Sequence, residues 1–101
     1  MPMKANFKIR IMGKLLKASG ERSELKPENG KYFKLKELQD AVGGYIELVT
    51  SPKGQLMVVN EEGKFGNLEI NVNATALFES WFGPLDVIVG DALLCESFEI
   101  R

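Results

Sequence analysis

An α+β domain with a mixed, mainly antiparallel sheet and two short helices is what this sequence predicts, and three observations carry that expectation. Short runs rich in β-branched and apolar residues alternate with period two, as half-buried strands do. Between them the apolar spacing switches twice to the helical i, i+3, i+4 pattern. Gly, Pro and Asn then fall at each change of period, where turns and helix ends need them. The predicted order is β-β-α-β-β-(β)-α-β over a single domain, residues 1–101, and a β-grasp-like arrangement is one way to satisfy it.

Phe7-Lys8-Ile9-Arg10-Ile11-Met12 places Phe7, Ile9 and Ile11 on one face of a first strand. Gly13 is a candidate bend before Leu15 and Leu16 continue it, and Ser19-Gly20 turns the chain into a polar strand, Glu21 to Leu25. Pro27 and Asn29-Gly30 take the chain out of the sheet. Leu35, Leu38 and Val42 then share one face of a helix whose other face is Lys36, Glu37, Gln39 and Asp40. Its N-cap falls near Lys34, a poor capping residue, so its first turn is expected to depend on packing more than on local hydrogen bonds. Gly43 or Gly44 closes it in the left-handed conformation.

The hairpin Tyr45–Thr50, Ser51-Pro52-Lys53-Gly54, Gln55–Asn60 is the centre of the reading. Its inward set is Ile46 and Leu48 opposite Leu56 and Val58, or Tyr45, Val49, Met57 and Val59; because both sets are apolar, the sheet is expected to be covered on both sides, or by a helix on one side and a partner on the other. Phe65 to Ile70 reads as irregular chain or a short edge strand. Asn71 or Asn73 caps a second helix through Ala74, Leu77, Phe78 and Trp81, ended by Gly83-Pro84. Val87-Ile88-Val89 and Ala92 to Cys95 form a last strand interrupted at Gly90-Asp91, with Phe98 and Ile100 prolonging it.

Composition excludes more than it selects. Apolar residues make up 45% and charged residues 27%, an ordinary globular mixture. A net charge of -1 supplies no field for a polyanion, which disfavours nucleic acid as a partner. No apolar run is long enough to cross a bilayer, and no membrane role is expected. Cys95 has no cysteine to pair with, and the lysine-rich start lacks the core of a signal peptide, so the expected compartment is a reducing cytoplasm. The absence of histidine removes the usual general base and the commonest metal ligand.

No catalytic residue, metal site or cofactor is assigned, and the chain is not expected to be an enzyme. Cys95 follows Leu93 and Leu94 in a strand and reads as buried and inert. Glu47, Glu61, Glu62, Asp86 and Asp91 show no recognised catalytic or cation-binding spacing and read as solvated turn acids. The weak binding candidates are Asn60, Glu61 and Glu62, a polar hairpin exit, and Phe82, which lies off the apolar face of its helix beside the core residue Trp81. The residues favour non-catalytic binding to a protein partner or self-association, a homodimer included; the alternatives are a small-ligand or nucleotide-binding module built on the polar turns and a carboxylate hydrolase.

The runs ELKPENGKYFKLKELQDAVGGYIELV, GQLMVVNEEGK, NATALF and DVIVGDALLC, from about Leu15 to Glu96, resemble a family of small phage and mobile-element proteins catalogued as domain of unknown function 3846. The most specific segments are Glu37-Leu38-Gln39 leading into Val42-Gly43-Gly44-Tyr45-Ile46-Glu47, the Val59-Asn60-Glu61-Glu62-Gly63-Lys64 turn, and Val89-Gly90-Asp91. Members commonly carry Thr or Ser where this chain has Lys34. The resemblance implies a gene carried by a phage or integrated element and implies no activity.

Overall fold

The computed structural model describes residues 13–63 and 66–96. Five strands and two helices follow in the order β1 (Gly13–Leu16), β2 (Arg22–Leu25), α1 (Leu35–Val42), β3 (Ile46–Thr50), β4 (Gln55–Asn60), α2 (Val72–Phe82) and β5 (Ala92–Glu96). The sheet order is β2-β1-β5-β4-β3, so the last strand inserts between the two hairpins. All four pairings are antiparallel, and the described sheet is therefore not mixed. The first and last strands are neighbours, as a β-grasp-like arrangement needs, but in antiparallel sense. The expected strand Phe7–Met12, Phe65, and the extension through Phe98 and Ile100 lie outside the described residues.

Each face of the sheet carries one helix, because its central strands are apolar on both sides. Leu38 and Val42 of α1 pack with Phe33 on Leu56, Val58, Leu93 and Cys95. Ala74 of α2 packs with Ile88 on Leu16, Met57, Val59 and Ala92, flanked by the half-buried Leu77, Phe78 and Trp81. Adjacent residues of β4 and β5 thus serve opposite cores, as the pleat requires. At the sheet's margin the burial fails: Leu48 remains 46% exposed because β3 is an edge strand, and Tyr45, just before β3, is exposed as well. Leu35, expected on the buried stripe of α1, is exposed in its first turn.

Gly13 pairs with Leu25 at the start of the described ladder, and the bend expected before it falls on residues outside the described ones. Its need for glycine is one of close approach, since a Cβ there would stand 2.7 Å from Leu93 Cδ1. The start of α1 is held by local bonds after all. Lys34 offers no acceptor, but Glu37 reaches back to accept from the Lys34 N–H (2.9 Å) and from the Glu28 N–H (2.8 Å), the glutamate half of a capping box. Those two backbone bonds hold its carboxyl below the ordinary glutamate range. At the other end Gly43 takes φ 79°, and both Gly43 and Gly44 donate to the Gln39 carbonyl.

Asn71, and not Asn73, caps α2. Its Oδ1 accepts from the Ala74 N–H (3.0 Å), while Nδ2 donates to the carbonyls of Leu16 (2.7 Å) and Gly90 (2.8 Å). One fully buried amide therefore ties together the start of α2, the end of β1 and the approach to β5.

Candidate functional site

The four residues singled out from the sequence are not equivalent in the fold. Asn60 is spent on the chain itself: Nδ2 donates to the Val42 carbonyl (3.1 Å), and Oδ1 accepts from the Glu62 N–H (2.8 Å). The Glu61 N–H donates to the Tyr45 carbonyl (2.8 Å), which leaves its side chain in solvent. Glu62 borders an open hollow of about 680 Å³ beside the end of α1, opposite Lys36 and Asp40, which pair with each other at 2.9 Å. Phe82 lies at the end of α2, 37% exposed, its ring 5.1 Å from that of Phe78. Phe78 lines a second hollow, of about 300 Å³, with Asn60 and Glu61, and Asn60 borders both hollows, whereas Phe82 lines neither.

The most distinctive surface is one that the sequence reading passed over. Residues 69–72 and 87–90 form a short antiparallel ribbon: Asn71 N–H donates to the Ile88 carbonyl (2.8 Å), Gly90 N–H to the Glu69 carbonyl (2.7 Å), and Ile70 bridges Val89. Thr75 fixes the ribbon to α2, its Oγ1 accepting from the Ile88 N–H (2.9 Å) and donating to the Ile88 carbonyl (3.3 Å). Asn71 and Ile88 point into the core, and the residues that alternate with them point out. Ile70, Val72 and Val87 are consequently exposed, and with Leu68 and Leu85, which flank the ribbon, they make an aliphatic surface 39% to 75% exposed residue by residue. Gly90, at φ 76°, lets Leu68 close over the ribbon, for a Cβ there would stand 2.7 Å from Leu68 Cδ1.

Acids border this surface. Glu69 is exposed within the ribbon, and Glu47, Glu61 and Asp86 line the hollow that Val87 and Val89 also line. Among the described residues, no group of three or more His, Cys, Asp and Glu side chains is placed to hold a metal ion. Also among them, no helix is long and apolar enough to cross a membrane. Cys95 is buried on β5 in the core beneath α1.

The sequence signal for the ribbon was present: Leu68, Ile70 and Val72, and likewise Leu85, Val87 and Val89, recur at period two. The interruption expected at Gly90-Asp91 is present, with Gly90 at φ 76°, but Val87-Ile88-Val89 is not part of the sheet. Val89 pairs with Ile70 instead, the chain enters β5 only after Gly90, and the Asp91 side chain accepts from the Ala18 N–H (3.0 Å) at that corner.

Residues 14–99 match the model of the domain of unknown function DUF3846. The chain belongs to that family. No curated protein and no solved structure matches it. The DUF3846 match spans every described element except the first residue of β1, and its description assigns no activity.

Proposed function

We propose that this DUF3846 member is a non-catalytic accessory protein of a phage or other mobile element that works by binding a protein partner, and that the ribbon is its contact surface. The single observation that supports this is the aliphatic patch formed by Leu68, Ile70, Val72, Leu85 and Val87 about a ribbon anchored by Asn71 and Thr75. Contiguous exposed apolar surface with a polar rim is the usual mark of an interaction site, and a pre-ordered one loses little entropy on binding. The acids around it, Glu69, Glu47, Glu61 and Asp86, select a partner with an apolar centre and a basic rim. The phage or mobile-element origin rests on the sequence resemblance alone.

Affinity capture from cells carrying the gene, with wild type and Ile70→Lys in parallel, tests the reading. A partner retained by wild type, lost by the variant and released by salt is the expected result. Recovery of the same proteins by both refutes the ribbon as the contact surface.

One observation favours a second reading, binding of a small amphipathic anion. A hollow of about 560 Å³ lies between α2 and the β1–β2 hairpin, with Leu16, Leu77 and Leu94 in its lining and Lys14, Arg22 and Glu24 at its rim. That volume is within the usual range of ligand sites. Co-purification of a small molecule with no protein partner decides for this reading.

A further inference from the structure

The two edges of the sheet are built differently. On β3, the Tyr45 carbonyl accepts from the Glu61 N–H and the Ser51 N–H donates to the Gln55 carbonyl. Antiparallel pairing alternates residue by residue, so Tyr45, Glu47, Val49 and Ser51 turn their backbone groups toward β4. Ile46, Leu48 and Thr50 turn theirs to the other side, where no other described strand lies. At the other edge the Lys17 N–H donates to the Glu21 carbonyl, and the same alternation turns Arg22 and Glu24 outward on β2. Charged side chains guard an edge against strand addition. The β3 edge instead presents the backbone of Ile46, Leu48 and Thr50, with the Leu48 side chain 46% exposed beside it.

We infer that β3 pairs antiparallel with β3 of a second copy of this chain, about a two-fold axis at Leu48. The register follows from backbone direction and charge. With Leu48 opposite Leu48 of the second copy, Ile46 falls opposite Thr50, and every outward N–H and C=O of those three residues finds a partner. Glu47 falls opposite Val49. Sliding the register so that Glu47 faces its own copy sets like charges directly across, which destabilises a sheet. Sliding it the other way brings Pro52 opposite Ile46, and proline has no N–H to donate. The two-fold register at Leu48 also joins the exposed Leu48 side chains on the α1 side of a sheet continuous through both protomers. A strand of this length is about 17 Å long, so the contact lies below the roughly 1,200 Å² of standard interfaces and the dimer is a weak one. This inference goes beyond the partner-binding reading and does not depend on it.

Sedimentation equilibrium of the full chain between about 1 μM and 1 mM tests it. A concentration-dependent dimer, weakened at least about tenfold by Leu48→Lys, is expected. Leu48→Pro should act alike without breaking the hairpin, because the Leu48 N–H faces outward. Mild oxidation should cross-link Leu48→Cys through the pair at the axis, where opposed Cα atoms about 5.5 Å apart suit a disulfide, and should leave Glu47→Cys uncross-linked. A chain monomeric throughout that range, a dimer indifferent to Leu48→Lys, or cross-linking of Glu47→Cys in preference to Leu48→Cys each overturns the pairing. Loss of the dimer in Leu48→Lys with partner capture retained shows that the two surfaces act separately.

Discussion

Replacing Asn71 by alanine should cost more stability than any other single polar substitution in the described structure. The side chain is 0% exposed and makes three bonds: Oδ1 caps α2 through the Ala74 N–H, and Nδ2 uses both its hydrogens on the Leu16 and Gly90 carbonyls. Loss of the cap costs about 0.5 to 2 kcal/mol. Each buried carbonyl left without a donor costs about 1 to 3 kcal/mol more. Water admitted to the cavity reduces the sum, so a net loss of about 3 to 5 kcal/mol is expected, a large share of the roughly 5 to 15 kcal/mol available to a domain. Asn71→Asp separates the two roles, since it keeps the acceptor for Ala74 but turns a carboxylate toward two carbonyl oxygens; it should be at least as damaging near neutral pH. Asn73→Ala is the control, because the bonds of Asn73 with Arg22 and the Gly20 carbonyl are solvent-exposed, and it should cost less than about 0.5 kcal/mol. Urea unfolding followed by circular dichroism measures all three. If Asn71→Ala loses less than about 1 kcal/mol, or Asn71→Asp matches wild type, the amide is not the joint that its geometry indicates.

Leu38→Ala, at a site 1% exposed, should cost about 2 to 5 kcal/mol in the same assay, whereas Leu77→Ala, only half-buried, should cost about 1 to 2 kcal/mol; equal losses would show that α2 packs as tightly as α1. Cys95 should resist a thiol reagent in the native protein and react only on unfolding, because burial disfavours the thiolate; rapid native labelling would contradict its place in the core. The lowered Glu37 carboxyl stabilises the fold above the ordinary glutamate pKa, and that contribution is lost as pH falls through its lowered value. Glu37→Gln should therefore be less stable than wild type at about pH 7, with the gap narrowing by about pH 3, and a gap independent of pH would argue against the capping bonds as its source.

The sequence alone determined the elements and most of their ends. Period-two and helical spacing placed the β3–β4 hairpin and both helices, and Gly43 closes α1 in the left-handed conformation as its position implied. The two apolar sets of the hairpin, Ile46, Leu56 and Val58 against Val49, Met57 and Val59, foretold a sheet covered on both faces. These features are local, since each depends on residues a few positions apart. What the tertiary structure decided was long-range. Insertion of β5 between β1 and β4 made β3 an edge and left Leu48 exposed, although its place in the alternation matches that of buried residues. Glu37 supplied the cap that Lys34 lacks by reaching across a turn that includes Glu28. Asn71 rather than Asn73 became the cap because the Leu16 and Gly90 carbonyls meet there, from the end of β1 and the approach to β5, distant in sequence. The aliphatic ribbon arose in the same way: Leu68, Ile70, Val72, Leu85 and Val87 have the spacing of strand residues, but the pairing of Ile70 with Val89 lies outside the sheet, which the chain enters only at Ala92, and these side chains stay exposed. Periodicity reports which residues share a face, but what covers that face depends on contacts made far along the chain.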